Sequence, residues 1–425
     1  MRLLRTSTLE FQEFDLSLAP PFAILSHTWG EDEITFDDMR GDRAATKHRQ
    51  GFQKVANFCQ KAKEFGLDFG WIDTCCIDKR SSAELSEAIN SMYQYYAISA
   101  VCFIHLADVE FGGAEPVVAM IQKSRWFTRG WTLQELIASP TRRVFDAAWA
   151  PIIFDDMDKE LGHGLDVLTE VLAAAAQLPI KLLRGSSPVG SFCVADRMSW
   201  AATRHTTREE DMAYCLMGLF DVHMPIIYGE GGRKAFRRLQ MEIMQTCFDQ
   251  TLFAWRGPYE NSGLLARKPS DFFDTPELSI WGPRYLSPYT MTNVGLSVRL
   301  IDVTSRGEEE TELPQAPLMV IIQCDIQSPS NLQWLGLAIC LEPVAGASFQ
   351  VNGSQGTAYR RVRCNELHAV PLHVSEGAPF RDLLVLEDEH HSFVLKSRHA
   401  DYSRFRKEFP LPTAASFSEP FVLRR

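Results

Sequence analysis

The sequence lacks the features that would place the protein in a membrane or on a nucleic acid. Its 425 residues contain no uninterrupted apolar run near the roughly 18 residues that a membrane-crossing helix needs, and no signal-peptide pattern at the start. Lys and Arg total 43 against 54 Asp and Glu, and the net charge of -11 argues against binding to a phosphate backbone. We therefore expect a soluble, intracellular protein with no nucleic-acid partner and no stable membrane span.

Motifs for bound metals and for nucleoside triphosphates are also missing. The sequence has no C-x-x-C or H-x-x-x-H pair, and its 10 cysteines stand in apolar contexts typical of packing thiols in a reducing compartment. The run GEGGRKAF (229–236) places glycines before a lysine but lacks the spacing and the hydroxyl residue of a phosphate-binding loop. The sequence thus predicts no metal site, and no triphosphate site at this run.

Strand-like and helix-like runs alternate at the start of the chain. The strand-like runs are FAILSH (22–27), FGWIDT (69–74), AVCFIHL (100–106) and RRVFD (142–146). Between them lie runs with apolar residues at helical spacing, GFQKVANFCQKAKEFG (51–66), SAELSEAINSMYQYYA (82–97) and TLQELIA (132–138). This alternation predicts an α/β domain over residues 1–148, a parallel sheet with helices on both faces.

Two further regions follow. Residues 149–256 are predicted to be mostly helical, with helices at PIKLLRG, VADRMSWAATR, REEDMAYCLMGLFDV and GGRKAFRRLQMEIMQTCFD. Residues 257–425 contain short apolar runs separated by Pro, Gly, Ser and Asn, which predicts an antiparallel β domain. Its predicted strands are GLSVRLIDV, PLMVIIQCDI, WLGLAICLEPV, DLLVLEDE, SFVLKS and PFVLRR.

Polar residues cluster after the first two predicted strands, in SHTWGEDE (26–33) and DTCCIDKRSS (73–82). In open α/β sheets, ligands gather at the carboxyl ends of the strands. Asp73 is therefore a candidate for binding a ligand hydroxyl. Trp29, which stands in a loop, is a candidate for stacking on a flat base.

A cysteine nucleophile is one alternative at the same sheet edge. His27 and either Cys75 or Cys76 follow strands that are expected to be neighbours, so a thiol and an imidazole can meet there. No third group that would orient the histidine is evident in the sequence. The alternative is a structural role, in which His27 caps a loop and the neighbouring thiols are unreactive.

The run SRWFTRGWTLQEL (124–136) contains the main candidate for chemistry. A helix that begins near its second tryptophan places Trp131 and Glu135 four residues apart, on one helix face. One interpretation is that Glu135 pairs with Arg125 or Arg129 and holds the helix to the sheet. The other is that Glu135 is a catalytic carboxylate, and the residues alone leave both open.

Three blocks of the sequence resemble a known family. FAILSHTWGEDE, WIDTCCIDKRSSAELSEAINSMYQYYAISAVCFIHLADV and SRWFTRGWTLQEL look like the three blocks of the heterokaryon incompatibility (HET) domain of filamentous fungi. The segment from DRMSWAATR to QTLFAW resembles the segment that commonly follows such domains, so the likeness covers about residues 20–255. It implies a cytoplasmic effector in allorecognition and regulated cell death.

A more distant resemblance is to Toll/interleukin-1 receptor (TIR) domains. FAILSHTWGEDE is similar to their first box, and SRWFTRGWTLQEL is similar to the stretch that carries the glutamate needed for NAD cleavage, although Thr132 stands where that stretch often has Cys. The resemblance implies a flavodoxin-like fold, Glu135 as the catalytic residue and NAD as a candidate substrate, with no cofactor.

Under this resemblance, a set of ligand-binding residues is expected around Glu135. Its members are Ser26, His27 and Asp73 for polar groups, Trp29 and Trp131 for aromatic contact, and Arg125 and Arg129 for phosphate oxygens. The competing hypothesis is a non-catalytic module that self-associates and recruits protein partners through the same surface.

Overall fold

Two β-sheets and a helical segment between them make up the described part of the chain. The computed structural model describes residues 1–41, 43–110, 116–154, 167–275, 278–281, 287–304, 317–327, 333–351, 354–375 and 377–387. The strands predicted at SFVLKS (392–397) and PFVLRR (420–425) lie outside the described residues.

The first sheet contains four parallel strands. Its strands are β1 (Arg2–Arg5), β2 (Phe11–Glu13), β3 (Phe22–His27), β4 (Phe69–Trp71), β5 (Val101–His105) and β6 (Arg142–Phe145). They lie in the order β2-β1-β4-β3-β5-β6, and the last four of these run parallel to one another. All residues of β3 are buried, as expected for a strand that is covered on both faces. The predicted parallel strands are confirmed.

The other two strands form an antiparallel hairpin, so the prediction of a purely parallel sheet is wrong at this edge. Strand β1 pairs antiparallel with β4, with Leu4 opposite Gly70 and Arg5 opposite Phe69. Leu3 and Leu4 are fully buried although arginines flank them, and the burial of these two leucines favours the pairing. The hairpin covers the edge of β4, which would otherwise expose unpaired backbone groups.

Helices cover both faces of this sheet, as predicted. They are α1 (Phe36–Arg40), α2 (Arg43–Thr46), α3 (Gln50–Glu64), α4 (Ser82–Ile98), α5 (Val117–Lys123) and α6 (Trp131–Ala138). On one face, Phe58 of α3 packs edge-on against Phe103 of β5, with ring centroids 5.8 Å apart. On the other face, the hydroxyl of Tyr96 in α4 donates to the Leu25 carbonyl at 2.9 Å.

The helical segment consists of short helices and one long one. They are α7 (Val167–Ala176), α8 (Ile180–Leu183), α9 (Val194–Ser199), α10 (Asp211–Tyr214), α11 (Met217–Phe220) and α12 (Gly232–Thr246). The single helix predicted at REEDMAYCLMGLFDV is wrong, because two short helices replace it. Gly218 in α11 lies so close to α4 that a Cβ atom there would overlap Tyr93, which makes glycine necessary at this contact. None of the helices in the described ranges has the length and apolarity that crossing a membrane requires.

The second sheet is mostly antiparallel. Its strands are β7 (Asn261–Ser262), β8 (Leu278–Ile280), β9 (Tyr289–Met291), β10 (Leu296–Asp302), β11 (Leu318–Gln327), β12 (Trp334–Val351), β13 (Ser354–Val362), β14 (His368–Pro371) and β15 (Phe380–Val385), and a short helix, α13 (Leu372–Ser375), follows β14. The described strands follow the order β14-β12-β11-β10-β15-β13-β7. Strands β13 and β15 pair in parallel, so the prediction of an entirely antiparallel domain is wrong at that pair.

A continuous hydrophobic core joins the three predicted regions, with members such as Leu25, Phe236 and Leu300. Arg361 of the second sheet is also fully buried. Its guanidinium donates to the carbonyls of Phe253 at 3.0 Å and Trp255 at 2.6 Å, and it stacks over the Trp255 ring at 4.0 Å. The second sheet is therefore docked on the helical segment, while the domain boundaries at 148 and 256 stay predictions.

Candidate functional site

The candidate site lies at the end of β3, where the order in which the chain adds strands to the first sheet reverses. Strands β4 and β5 lie on opposite sides of β3. The connection from β3 to β4 therefore goes to one side of β3, and the connection from β4 to β5 crosses to the other side. Such a switch point is where open α/β sheets bind ligands. Ser26 and His27 are the last two residues of β3. Their side chains point to opposite faces of the sheet, because successive side chains of a strand alternate between the two faces.

Glu135 lies in a buried cluster beneath the end of β3. The residue is 8% exposed and sits in the second turn of α6. Its carboxyl accepts a hydrogen bond from the Ser26 hydroxyl, and the Trp126 indole donates to the same Ser26 oxygen at 3.0 Å. The Tyr96 hydroxyl also hydrogen-bonds to the Glu135 carboxyl. Ser26 and Glu135 are thus brought together as predicted, whereas Trp126 and Tyr96 had no sequence signal beyond that of core aromatics.

The carboxyl of Glu135 favours its protonated form. Burial raises its pKa to about 8, and the charge of Asp73 adds to this effect. The hydrogen bond from Ser26, the nearby Tyr96 hydroxyl and the charge of Arg204 oppose the shift without cancelling it. At pH 7 the group is therefore mostly neutral. A neutral carboxyl can act as a general acid, or it can ionise during the reaction and act as a carboxylate.

The arginines predicted to pair with Glu135 lie elsewhere. Arg125 donates to the Trp29 carbonyl at 3.2 Å, and Arg129 donates to the Thr207 hydroxyl at 3.1 Å. The interpretation of Glu135 as a partner of either arginine is therefore wrong, because both guanidinium groups lie at the surface of the sheet edge rather than in the buried cluster.

Trp131 and Arg129 contact the helical segment instead of the Glu135 cluster. The Trp131 side chain hydrogen-bonds to Asp211. The backbone beside it is held by two hydrogen bonds with one residue, from Gly130 N to the His205 carbonyl at 2.9 Å and from His205 N to the Thr128 carbonyl at 2.7 Å. The shared helix face of Trp131 and Glu135 thus does not bring Trp131 into the cluster.

Arg204 is a site residue that the sequence did not reveal. It is 3% exposed and donates to the Arg129 carbonyl at 2.9 Å and the Thr132 hydroxyl at 3.2 Å. Burial lowers its pKa to about 10, and the charges of Cys215 and Glu135 oppose this shift. Arg204 therefore joins the first turn of α6 to the helical segment and adds a positive charge near Glu135.

On the opposite face of β3, His27 forms a chain of hydrogen bonds. Its Nδ1 lies 3.1 Å from Lys54 Nζ and its Nε2 lies 3.1 Å from Asp73 Oδ1. An ammonium can only donate, so Nδ1 accepts and Nε2 carries the proton that is donated to Asp73. Lys54 also forms an ion pair with Glu33. Lys54 and Glu33 were not predicted, since only the fold brings them to His27.

Asp73 joins this chain to the exposed Trp29. The Trp29 indole donates to Asp73 Oδ2 at 2.9 Å. Burial raises the pKa of Asp73, but the His27 hydrogen bond, the Lys79 charge and the Trp29 hydrogen bond outweigh it and hold the pKa at about 2. The predicted grouping of Ser26, His27, Trp29 and Asp73 at one sheet edge agrees with these positions.

The geometry disfavours a cysteine nucleophile. Cys75 and Cys76 are buried, and both ring nitrogens of His27 are already engaged by Lys54 and Asp73. The pKa of Cys75 lies well above its usual range, through its hydrogen bond with Cys76 and through burial. A thiol in this state forms too little thiolate to act as a nucleophile.

His105, at the end of β5, is buried without a polar partner of good geometry among the described residues. Its ring stacks on Trp149 with centroids 4.4 Å apart, and neither ring nitrogen makes a full hydrogen bond, although the Ala147 carbonyl lies close enough to raise its pKa slightly. Burial dominates, with help from the charge of Lys54, and lowers the pKa to about 4.

We expect His105→Phe to stabilise the protein in mild acid. The folded-state pKa of about 4 lies below the ordinary histidine value of 6.5, so the unfolded chain binds more protons between these pH values and stability falls as the pH drops through that window. At pH 5 the variant should be more stable by about 2 kcal/mol, relative to the difference at pH 8. Urea unfolding at both pH values measures this, and an equal difference at pH 5 and pH 8 would contradict it.

Comparison with known proteins gives matches in two parts of the chain. The family described as Heterokaryon incompatibility protein (HET) matches residues 22–116, and a domain of unknown function matches residues 234–294. Over 231 residues the chain is 45% identical to Vegetative incompatibility protein HET-E-1 of Podospora anserina, a match that covers 53% of this chain and only 16% of that relative. No solved structure gives a significant match.

Proposed function

Residues 22–116 carry a heterokaryon incompatibility domain, and from this premise we propose that the chain is a cytoplasmic effector of fungal vegetative incompatibility that kills cells by cleaving NAD. The relative from Podospora anserina is named for vegetative incompatibility, which supports the cellular role. The chemistry is proposed from the site itself.

One observation carries the enzymatic part of this proposal. At the switch point of the sheet, the carboxyl of Glu135 is held by Ser26 at the end of β3 and has a pKa of about 8. Perturbed carboxyl groups at strand ends are candidates for catalysis. The four parallel strands also follow the spatial order second, first, third, fourth, which flavodoxin-like sheets share and which supports a TIR-like fold.

The reaction would break the bond between nicotinamide and C1′ of the ribose. The bonding electron pair leaves with the nicotinamide nitrogen and neutralises its positive charge, so the leaving group needs no proton. Water then adds to C1′, which gives ADP-ribose and releases one proton. The intermediate state resembles an oxocarbenium ion, and a carboxylate at Glu135 stabilises its charge and can bind ribose hydroxyls.

The neutral resting state of Glu135 fits a positively charged substrate. A pyridinium ion beside the carboxyl favours ionisation, because an opposite charge nearby lowers a carboxyl pKa. Since Glu135 is 8% exposed, contact with the ribose also requires the Trp126 and Ser26 side chains to move aside. We therefore expect turnover to depend on a rearrangement of this cluster, for example on self-association.

The same burial supports a second function, a module that assembles and recruits protein partners without turnover. A carboxyl that is buried, neutral and hydrogen-bonded to Ser26 can hold α6 against β3 and nothing more. In that case cell death follows the oligomeric state of the protein and leaves NAD levels unchanged.

The two functions differ in a direct assay. The purified chain, dilute and concentrated, is incubated with NAD while nicotinamide release is followed by chromatography, and the oligomeric state is measured by light scattering at the same concentrations. We expect release in at least one state. No release in any state would overturn the enzymatic proposal, and cell death that tracks oligomerisation at constant NAD would favour the assembly module.

A further inference from the structure

Four cations surround the edge of the site on a chain whose net charge is -11. Lys79, Arg125 and Arg208 are exposed and Arg129 is half-buried. Within the residues that the structure describes, none of the four has a carboxylate at ion-pair distance. The N–H groups of these four side chains are therefore not engaged by carboxylates, and clustered basic side chains of this kind can donate to a bound anion.

Trp29 lies at the centre of this group. Its indole is 49% exposed, and Lys79 Nζ sits over one side of the ring at 3.7 Å. Arg125 Nη2 is bound to the Trp29 carbonyl at 3.2 Å. The loop that carries Trp29 thus positions two cations and leaves part of an aromatic surface open.

Arg208 and Tyr228 bring the helical segment to the same edge. The Arg208 guanidinium stacks on the Tyr228 ring at 4.0 Å, and the Tyr228 hydroxyl donates to Asp211 at 2.9 Å. The Arg129 guanidinium donates to the Thr207 hydroxyl at 3.1 Å, which places the adjacent Arg208 at the edge that carries Arg125 and Arg129. Burial and the Arg208 charge lower the pKa of Lys79 against the opposing charges of Asp73 and Glu33.

The carboxylates near these cations are engaged by other groups. Asp73 accepts from His27 and Trp29, and Asp211 accepts from Tyr228. Glu210 accepts from the backbone N–H groups of residues 229 and 231, at 2.8 and 3.0 Å. These carboxylates therefore do not contact the N–H groups of the four cations directly, and a ligand can accept hydrogen bonds from them.

We propose that Trp29, Lys79 and Arg125, together with Arg208 and Tyr228 of the helical segment, form one composite site for a nucleoside diphosphate. The cations bind the two phosphates through charge-assisted hydrogen bonds, and the exposed aromatic surface contacts the base. The inference rests on the proposed function in one respect, since the ADP half of NAD is such a ligand. It adds that half of the site comes from residues beyond the incompatibility domain.

Calorimetric titration of the full chain with ADP, adenosine and inorganic pyrophosphate tests this site. We expect ADP to bind more tightly than adenosine or pyrophosphate, and its affinity to fall as salt is added. Arg208→Gln and Lys79→Gln should each weaken ADP binding at least about tenfold, which is roughly the loss of one charge-assisted contact. Arg143→Gln is the matched control, because Arg143 is exposed and, among the described residues, bonds only to the neighbouring Arg142 carbonyl.

Each outcome separates the composite site from the enzymatic proposal. Absence of ADP binding, or ADP binding that Arg208→Gln leaves intact, overturns the composite site even when NAD is cleaved. Pyrophosphate that binds as tightly as ADP overturns the assignment of a nucleoside. Loss of ADP binding in Arg208→Gln, with no nicotinamide release by the wild type, upholds the composite site and overturns the enzyme. Unchanged thermal unfolding midpoints confirm that the exposed-residue variants are folded.

Discussion

Replacing Glu135 with glutamine is expected to slow nicotinamide release at least about 100-fold, a loss typical of removing one group that stabilises transition-state charge. The variant should be at least as stable as the wild type at pH 7, since a glutamine amide resembles the protonated carboxyl that a pKa of about 8 implies and can still accept from Ser26. Nicotinamide release and urea unfolding at pH 7 measure both effects.

The wild-type pH profile supplies a second readout of the same residue. If the active form is the carboxylate, kcat/KM should rise with pH until the pH passes about 8, the pKa of Glu135 in the free protein. Glu170→Gln is the matched control, because Glu170 is half-buried and pairs with Arg184 rather than with a member of the Glu135 cluster. Activity that survives in Glu135→Gln would refute the assignment of this residue while leaving the reaction itself intact.

The wild-type protein is also expected to lose stability from pH 5 to pH 9 relative to Glu135→Gln, by about 4 kcal/mol. The folded-state pKa of about 8 lies above the ordinary glutamate value of 4.5, so the folded protein binds more protons than the unfolded chain in this window. Stability is therefore present below pH 4.5 and lost as the pH rises through 8. Urea unfolding of both proteins at pH 5, 7 and 9 measures the difference.

One outcome of the same unfolding experiment would contradict this prediction. Should wild type and Glu135→Gln show parallel pH dependence, the carboxyl would be ionised and solvated in the folded state, contrary to its burial. Glu170→Gln is the matched control here too, because it leaves Glu135 and its hydrogen bond from Ser26 in place. Since this readout needs no substrate, it tests the buried cluster even if NAD is never cleaved.

Sequence reasoning succeeded where one strong pattern decided the structure. The apolar runs at β3 and β5 and the helical spacing of α3 and α4 each bury a continuous surface, so local sequence and fold agree. The hairpin of β1 and β2 escaped prediction because its strands have four and three residues, too few to show an alternation. Its pairing depends on the edge of β4, which the local sequence does not reveal.

For the site, the sequence placed polar residues at the correct sheet edge but not their partners. Ser26 and Glu135 are 109 residues apart, and His27 meets Lys54 only because α3 packs on the same face as the His27 side chain. Trp131 was misplaced because helix periodicity gives the face of a residue but not which neighbour covers that face. Arg204 could not be found, since a buried arginine that binds backbone carbonyls has no motif.

The contacts of residues 204–208 decide how much of the chain a minimal fragment must contain. A fragment limited to the matched residues 22–116 would omit α6 and thus Glu135 itself. Ending after β6 would keep Glu135 but remove Arg204 and His205, which hold the first turn of α6. The smallest unit in which the carboxyl keeps its observed surroundings therefore extends through the helical segment, so the matched residues, α6 and that segment should be exchanged between proteins as one piece.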